Sequence, residues 1–182
     1  IRILNQDSEE MIFTFLLSQN NNIPRIRGMI ERLCAALGTR CLFGDREYFS
    51  FPKAPALARE KEDFYRALGF GYRAAFVAHT ARRLAEEDAT GLAALETPAL
   101  REKLLTYPGI GPKVADCILL FGFHRTDAFP VDTWVERLYR EDFGGRETDR
   151  AKINRFFSEK FGEHAGVFQQ YLFYYKRETE RG

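Results

Sequence analysis

The segment that most constrains the fold of this chain is residues 104–117, LLTYPGIGPKVADC. Pro108 has no N–H and therefore ends the apolar helix before it, and Gly109 and Gly111 favour a very tight turn. Pro112 suits the first turn of a second helix. The segment predicts a helix, a tight turn and a second helix, and the rest of the chain must pack around this hairpin.

Successive backbone N–H groups in such a turn, followed by a helix N-terminus, form a concavity that binds anions such as phosphate. Lys113 stands at the start of the second helix, and Cys117, four residues later, lies on the same stripe. We interpret the hairpin as a clamp for a DNA backbone with a lysine beside it.

The composition excludes several other classes of protein. No apolar run approaches the roughly 20 residues that span a bilayer, so an intracellular protein is expected. The three cysteines, Cys34, Cys41 and Cys117, are too scattered for a zinc site or a four-cysteine iron–sulfur cluster. The formal net charge is only +1, so binding to DNA must rely on a local basic surface.

Helical spacing and capping residues predict helices along nearly the whole chain, in one domain without strands. The predicted helices begin after Asp7, run from Asn22 to Leu37, cover about 55–60, 61–68 and 73–87, start at a Thr97 cap, and continue from Asp132, at about 148–161 and at about 165–177. Residues 39–55 carry no helical period and are predicted to be irregular. The expected fold class is all-α.

Lys113 and Asp132 have a spacing along the chain that would allow a lysine nucleophile and an assisting carboxylate to meet. Pro130 keeps the chain extended, so Asp132 caps the next helix, and the connection is short enough to fold back towards Lys113. A desolvated lysine attacks an electrophilic carbon, and a nearby carboxylate orients it or stabilises a cation. Alone, a first-turn lysine is ordinarily solvated and an N-cap aspartate ordinarily only caps, so the prediction depends on the pair.

Five stretches together resemble the helix-hairpin-helix (HhH-GPD) superfamily of DNA glycosylases, and within it the 8-oxoguanine DNA glycosylases. They are FLLSQNNNIPRIRGMIERLCAALG (15–38), LGFGYRAAFVA (68–78), YPGIGPKVADC (107–117), FPVDTWV (129–135) and AGVFQQYLF (165–173). The motifs SQNNNIPRI and GYRA resemble the oxoguanine branch, and the iron–sulfur cysteines of the endonuclease III and adenine glycosylase branches are missing.

The resemblance implies a two-lobed helical fold with the active-site cleft between the lobes. Lobe one is expected at about 20–80, lobe two at about 1–19 plus 81–182, and the helix-hairpin-helix at about 98–122. The family usually carries a β-rich N-terminal domain ahead of the region that this chain matches. The resemblance therefore implies either a fragment or a compact form that reads the base through its helices alone.

The activity implied by the resemblance is that of a bifunctional DNA glycosylase and AP lyase, which removes 8-oxoguanine opposite cytosine in base excision repair. Lys113 would attack C1′ of the flipped nucleotide, leaving a Schiff base that nicks the strand by β-elimination. Asp132 would orient the reacting groups and support cationic character at the sugar. The implied partner is damaged duplex DNA, bound by a monomer in the cytoplasm or nucleoid.

The resemblance also implies how the flipped nucleotide is replaced and how the backbone is held. Asn20 would fill the vacated space, Tyr72 would wedge the helix beside it, and Arg25 and Arg73 would hydrogen-bond the orphaned cytosine. The hairpin residues expected at the DNA backbone are Gly109, Ile110 and Gly111. No cofactor is expected, although the resemblance allows a cation at the hairpin carbonyls.

The base pocket implied by the resemblance has three residues. Gln169 would read the Watson–Crick edge, and Phe173 and Cys117 would lie on opposite faces of the base; Phe173 alone would be read as core. Beside Lys113, Cys117 would form a thiolate–ammonium dipole that favours the oxidised base. Trp134 stands where animal and fungal relatives carry a histidine near a phosphate, and it is assigned no role.

Two other functions stay open on the sequence. One is an HhH glycosylase for another base lesion. The other is a non-catalytic DNA-binding module that uses the hairpin only as a phosphate clamp, which predicts no covalent chemistry at Lys113.

Overall fold

The computed structural model describes residues 2–87 and 89–179, and this part of the chain is mostly helical. The helices are α1 (Ser8–Ser18), α2 (Ile23–Leu37), α3 (Ala54–Leu57), α4 (Glu62–Ala67), α5 (Arg73–Glu86), α6 (Ala89–Ala94), α7 (Thr97–Leu105), α8 (Pro112–Gly122), α9 (Thr133–Glu141), α10 (Arg150–Phe161) and α11 (Ala165–Thr179). A 3₁₀ turn at Gly162–His164 joins α10 to α11. Residues 1, 88 and 180–182, which the expected second lobe includes, lie outside the described residues.

Three predicted helix starts are confirmed by their capping geometry. The carboxylates of Asp7 and Asp132 and the amide oxygen of Asn22 each accept a hydrogen bond from the backbone N–H three residues on, at 3.0, 2.9 and 3.0 Å. Each such bond satisfies a donor that the first helical turn otherwise leaves unpaired. The predicted Thr97 cap is wrong by one residue: Glu96 precedes α7 without a side-chain cap, and the Thr97 hydroxyl bonds Asp127 instead, at 3.2 Å.

The expectation of no strands is wrong for residues 39–55. Strands β1 (Arg40–Phe43) and β2 (Arg46–Phe49) form an antiparallel hairpin in which Arg40 pairs with Phe49. Gly44 takes a φ of 59°, the conformation that a two-residue turn requires at its first position. Most residues of both strands are exposed, so the sequence has no apolar alternation from which to recognise them. The short helix α6 was also missed, since its ATGLAA sequence carries no periodic signal.

Two hydrophobic clusters divide the described core. The first takes in α1, α2, α5, α7 and α8 and runs along the chain to Ala128, and the second begins at Phe129 and includes Val135, Phe157 and Ala165. Lys113 lies on a helix of the first cluster, whereas Asp132 caps a helix of the second. The lobe boundaries expected from the resemblance stay a prediction. In the part of the chain described, no helix combines the length and apolarity that crossing a membrane takes.

Candidate active site

A cleft of about 800 Å³ opens between the two hydrophobic clusters and contains Lys113. Gly111 and Pro112 at the start of α8 line one side, and Arg150 and Asn154 of α10 line the other. Gln19, from the turn after α1, lies at the same cleft. A smaller cavity of about 220 Å³ beside His124 and Tyr171 contains none of the predicted site residues.

Lys113 projects from the first turn of α8 into this cleft. Its ammonium nitrogen lies 5.7 Å from the centroid of the Phe15 ring, which packs beside it from α1. One turn further along α8, Cys117 is only 4% exposed. Lys113 and Cys117 lie one turn apart on α8, and the nearby charge of Lys113 acts to lower the pKa of the thiol.

Burial decides the ionisation of Cys117. It raises the pKa of the thiol to about 11, and this outweighs the lowering effect of the Lys113 charge and hydrogen bond. A thiol with this pKa is neutral at pH 7. The thiolate half of the predicted dipole is therefore disfavoured in the unbound protein.

The charge of Asp132 affects the pKa values of one residue on α8 and one on α10. The carboxylate adds to the raised pKa of Cys117 on one side. On the other side the pKa of Arg150 is raised chiefly by its hydrogen bond to Glu136, and Asp132 contributes to that rise. Lys113 and Asp132 thus both influence the pKa of one buried thiol, while the direct pairing of these two residues stays a prediction.

The structure requires glycine at one of the two hairpin positions and not at the other. Gly109 takes a φ of 84°, and a Cβ at this position would lie 2.5 Å from Cδ2 of the Phe76 ring, so only glycine fits. Gly111 has a φ of −92°, and a Cβ there would have no atom within 4 Å. The prediction that the turn needs glycine is confirmed for Gly109, but the backbone of the unbound protein does not require it at Gly111.

A carboxylate that the sequence analysis did not identify, Glu87, stabilises the hairpin. Glu87, at the end of α5, accepts hydrogen bonds from Lys103 at 2.8 Å, from Arg83 at 2.9 Å and from the Tyr107 hydroxyl. Burial would raise the pKa of Glu87, but these three donors together lower it to about 2. Because Tyr107 immediately precedes the turn, this ion cluster ties the hairpin to α5.

Arg73 holds the SQNNN turn in the unbound protein. The side chain is 2% exposed, and its guanidinium donates to the backbone carbonyls of Gln19 and Asn20, both at 2.9 Å. The guanidinium carbon lies 4.4 Å from the centroid of the Tyr72 ring, whose hydroxyl also bonds the Gln19 carbonyl at 3.3 Å. Asn20 itself is exposed and has a φ of 44°. The predicted contact of Arg73 with an orphaned cytosine stays a prediction.

Arg25 and Tyr72 present exposed side chains on this side of the molecule. Tyr72 is 50% exposed although its ring packs edge-on against Phe76. The sequence suggested that a ligand or an acidic neighbour holds Arg25 at the N-terminus of α2, against the helix dipole. Within residues 2–87 and 89–179 the guanidinium of Arg25 has no ion-pair partner, which leaves it available to a ligand.

Gln169 and Phe173 lie one turn apart on α11, as predicted. Gln169 is 4% exposed, and its carbonyl oxygen accepts a hydrogen bond from the Gln170 amide at 2.5 Å. The Phe173 ring packs perpendicular to Trp134, with centroids 6.5 Å apart. Trp134, to which the sequence assigned no role, therefore supports the ring expected to stack on the base.

A polar network under the cleft was not predicted. Arg101 of α7 donates to Asp116 of α8 at 2.6 Å, and Asn154 of α10 donates to Asp116 at 3.2 Å and to the Phe129 carbonyl at 2.6 Å. The pKa of the Asp116 carboxyl is raised, because burial outweighs the effect of Arg101. The one sequence signal for this network was Asp116, a carboxylate on the apolar face of a predicted helix.

Metal binding by side chains has no candidate in the part of the chain that the structure describes. Those residues contain no group of three or more histidine, cysteine, aspartate and glutamate side chains that could hold an ion.

Comparisons with known proteins place this geometry in a family. The model of the "HhH-GPD superfamily base excision DNA repair protein" matches residues 13–163. An N-glycosylase/DNA lyase of Saccharomyces cerevisiae is 40% identical over 79% of this chain, and a probable N-glycosylase/DNA lyase of Methanothermobacter thermautotrophicus is 33% identical over 97%. The chain spans 42% and 63% of the lengths of these two relatives.

The fold also superposes on that of a solved DNA complex. The 8-oxoguanine glycosylase/lyase of Clostridium acetobutylicum, bound to duplex DNA with cytosine opposite the lesion, is 36% identical with a TM-score of 0.92. The match covers 99% of this chain and 63% of that protein. The mostly helical glycosylase fold expected from the sequence is thereby confirmed.

Proposed function

This chain belongs to the HhH-GPD superfamily of base excision DNA repair proteins, and from that premise we propose that it is a bifunctional N-glycosylase and DNA lyase that excises 8-oxoguanine opposite cytosine from duplex DNA. The observation that carries the proposal is Lys113, which lines the cleft from the start of the hairpin helix, one turn before the buried Cys117. The names of the relatives and of the solved DNA complex support the same activity.

The first step is extrusion of the damaged nucleotide, because C1′ and the faces of the base are inaccessible inside the stack. Asn20 then fills the vacated space; the proposal is supported by Arg73, which bonds the carbonyl of Asn20, and by the neighbouring Gln19, which lines the cleft. Tyr72 wedges the neighbouring base pair, and Arg25, with Arg73, hydrogen-bonds the orphaned cytosine. The backbone N–H groups of residues 109–111 hold a phosphate.

Base excision follows by nucleophilic substitution at C1′. Lys113 gives up one ammonium proton and forms a C–N bond to C1′ as the glycosidic bond breaks; the electron pair leaves with the base, which takes up that proton. Asp132 stabilises the positive charge that develops on the sugar. The sugar ring opens to a Schiff base, loss of a C2′ proton breaks the C3′–O bond, and the 3′ phosphate leaves.

The base pocket reads the lesion while this chemistry proceeds. Gln169 is placed to bond the Watson–Crick edge, and Phe173, braced by Trp134, stacks on one face of the base. Cys117 lies on the other face as a neutral thiol. A cation at the hairpin carbonyls, a monomeric state and action at the nucleoid stay predictions.

Borohydride trapping on a duplex that contains 8-oxoguanine opposite cytosine tests the proposal. The unsubstituted chain should form a covalent adduct, because borohydride reduces the Schiff base to a stable amine. Lys113→Gln should form none, and Lys61→Gln, which changes an exposed lysine outside the cleft, should trap as well as the unsubstituted chain.

The same assay separates the alternatives. A panel of duplexes with different lesions and opposing bases should be tested. An adduct with another lesion but none with 8-oxoguanine would show that the other lesion is the substrate. If the chain bound every duplex but formed an adduct with none, it would be a non-catalytic DNA-binding module.

A further inference from the structure

Lys113 and Asp132 are held by different parts of the core. The helix that carries Lys113 is fixed by Ala115, Ile118 and Leu119 in the first hydrophobic cluster. The segment that leads to Asp132 is anchored by Phe129 and Val131 in the second cluster, where they are 1% and 3% exposed. The distance between the lysine and the carboxylate therefore depends on the contacts that join the two clusters.

Two sets of polar contacts join the clusters at this point. At the start of α11 the Gly166 N–H donates to the Thr126 carbonyl at 2.7 Å, which anchors the chain before Phe129. The second set is the Arg101–Asp116–Asn154 network, which reaches the Phe129 carbonyl itself. Phe129 is three residues before Asp132, so this second link acts on the backbone that carries the carboxylate.

Asn154 is the central member of that network. Its side-chain nitrogen donates one N–H to Asp116 of α8, at 3.2 Å, and the other to the Phe129 carbonyl, at 2.6 Å. The Phe129 carbonyl can only accept, so the NH₂ end of the amide must face it, and the same nitrogen reaches the Asp116 oxygen. Asp116 directly precedes Cys117 and lies one turn after Lys113, so Asn154 joins the lysine helix to the aspartate segment.

Other side chains of similar size cannot make this link. Leucine fills the space but leaves a buried carboxylate and a buried carbonyl each short of a donor. An ionised aspartate has no proton to donate and repels Asp116. The requirement at position 154 is for two donors on one nitrogen, aimed at two different elements.

We propose that Asn154 is a positioning residue, which holds the backbone at Phe129 against α8 and thereby sets Asp132 relative to Lys113 for base excision. This inference rests on the proposed function. Misplacement of a reacting group by about 1 Å costs on the order of 100-fold in rate, so a hydrogen bond outside the reacting groups controls the chemical step.

The test is the single-turnover rate of base release with Asn154→Leu in excess over an 8-oxoguanine duplex. The rate should fall by roughly 10- to 100-fold. Glu159→Leu is the matched control, because it places the same side chain at an exposed position of the same helix. DNA affinity, measured in the Lys113→Gln background so that no turnover occurs, should change less than about threefold, since the proposed role of Asn154 is to position the reacting groups.

Hydrogen exchange gives a second readout that needs no DNA. The amides of residues 131–135 should exchange faster in Asn154→Leu than in Glu159→Leu, because the Phe129 carbonyl has lost its donor. Equal exchange in the two variants, or an excision rate within about twofold of the control, would overturn the inference. Failure of the proposed function looks different, because the unsubstituted chain would then release no base, and the inference would fall with it.

Discussion

At the scale of single residues, burial sets the ionisation of the side chain next to Lys113. Cys117 is enclosed so completely that the pKa of its thiol rises to about 11 although an ammonium lies beside it. Asp132 remains partly exposed and caps a helix. The mechanism that we propose therefore uses Asp132 at the sugar and gives the neutral Cys117 a packing role against the base.

Asp132→Asn separates capping from catalysis. Asparagine caps helices as well as aspartate does, so the free energy of unfolding should change little. Base excision should slow by about 100-fold, because the charge that stabilises the cationic sugar is lost. Thermal unfolding and single-turnover excision measure the two effects.

Asp7→Asn is the matched control, since Asp7 caps α1 with the same geometry outside the cleft. Unchanged excision in Asp132→Asn would mean that Asp132 is only a cap.

Glu87 makes stability depend on pH. Its pKa falls from an ordinary 4.5 to about 2, so the stability it contributes is fully present above pH 4.5 and is lost as the pH falls towards 2. Glu87→Gln should lower the free energy of unfolding at pH 7 by about 1–2 kcal/mol, and by less at pH 3. Urea unfolding of both proteins at the two pH values measures this difference.

Glu62→Gln provides the comparison, because Glu62 forms an exposed pair with Arg66 on one helix and should matter little at either pH. A loss in Glu87→Gln that is as large at pH 3 as at pH 7 would contradict the assignment.

At the scale of elements, the turn of the hairpin has one glycine that is sterically enclosed and one that is open to a ligand. Gly109 is enclosed by the Phe76 ring of α5, and the Glu87 cluster fixes Tyr107 just before it. Gly111 faces open space at the N-terminus of α8. The first glycine therefore serves the fold, and we propose that the second allows a phosphate to approach.

Two alanine substitutions test this division. Gly109→Ala should lower the free energy of unfolding by about 1–2 kcal/mol from the positive φ alone, with a further loss from the clash with Phe76. Gly111→Ala should leave stability unchanged but weaken DNA binding, because its Cβ occupies the space that a phosphate would take. Thermal unfolding and binding titrations with a duplex distinguish the two variants.

Equal DNA affinity in Gly111→Ala and the unsubstituted chain would show that the hairpin does not approach the backbone closely.

At the scale of the whole molecule, the two hydrophobic clusters form the two walls of one cleft. Each cluster holds the helix of one of the two proposed catalytic residues, and the polar network around Asn154 crosses between the clusters. The net charge of +1 supplies little general attraction for DNA. We therefore expect the proposed affinity for DNA to come from the local donors at the hairpin and at the exposed arginines.

Salt dependence tests that conclusion. The logarithm of the affinity for a duplex should fall linearly with the logarithm of the salt concentration, with a slope of about −0.9 for each phosphate neutralised. Fluorescence anisotropy between low and moderate potassium chloride measures the slope. A flat dependence would count against a duplex as the ligand.

The sequence by itself determined the local features. Pro108, Gly109 and Pro112 dictate the hairpin because their backbone restrictions act within a few residues, and Asp7, Asn22 and Asp132 set helix starts for the same reason. The β-hairpin escaped prediction because its strands bury neither face. The candidate pair Lys113 and Asp132 followed from its spacing and from the resemblance to a family.

Only the tertiary structure decided what surrounds those residues. Burial of Cys117, the use of Arg73 to hold the SQNNN turn, and the Asp116–Asn154 link to Phe129 all join segments that are far apart in the chain. Desolvation and hydrogen-bond partners are set by atoms that meet through packing, and no local pattern encodes them. The sequence thus placed the reacting groups on their helices, and the packing of two clusters fixed where those helices meet.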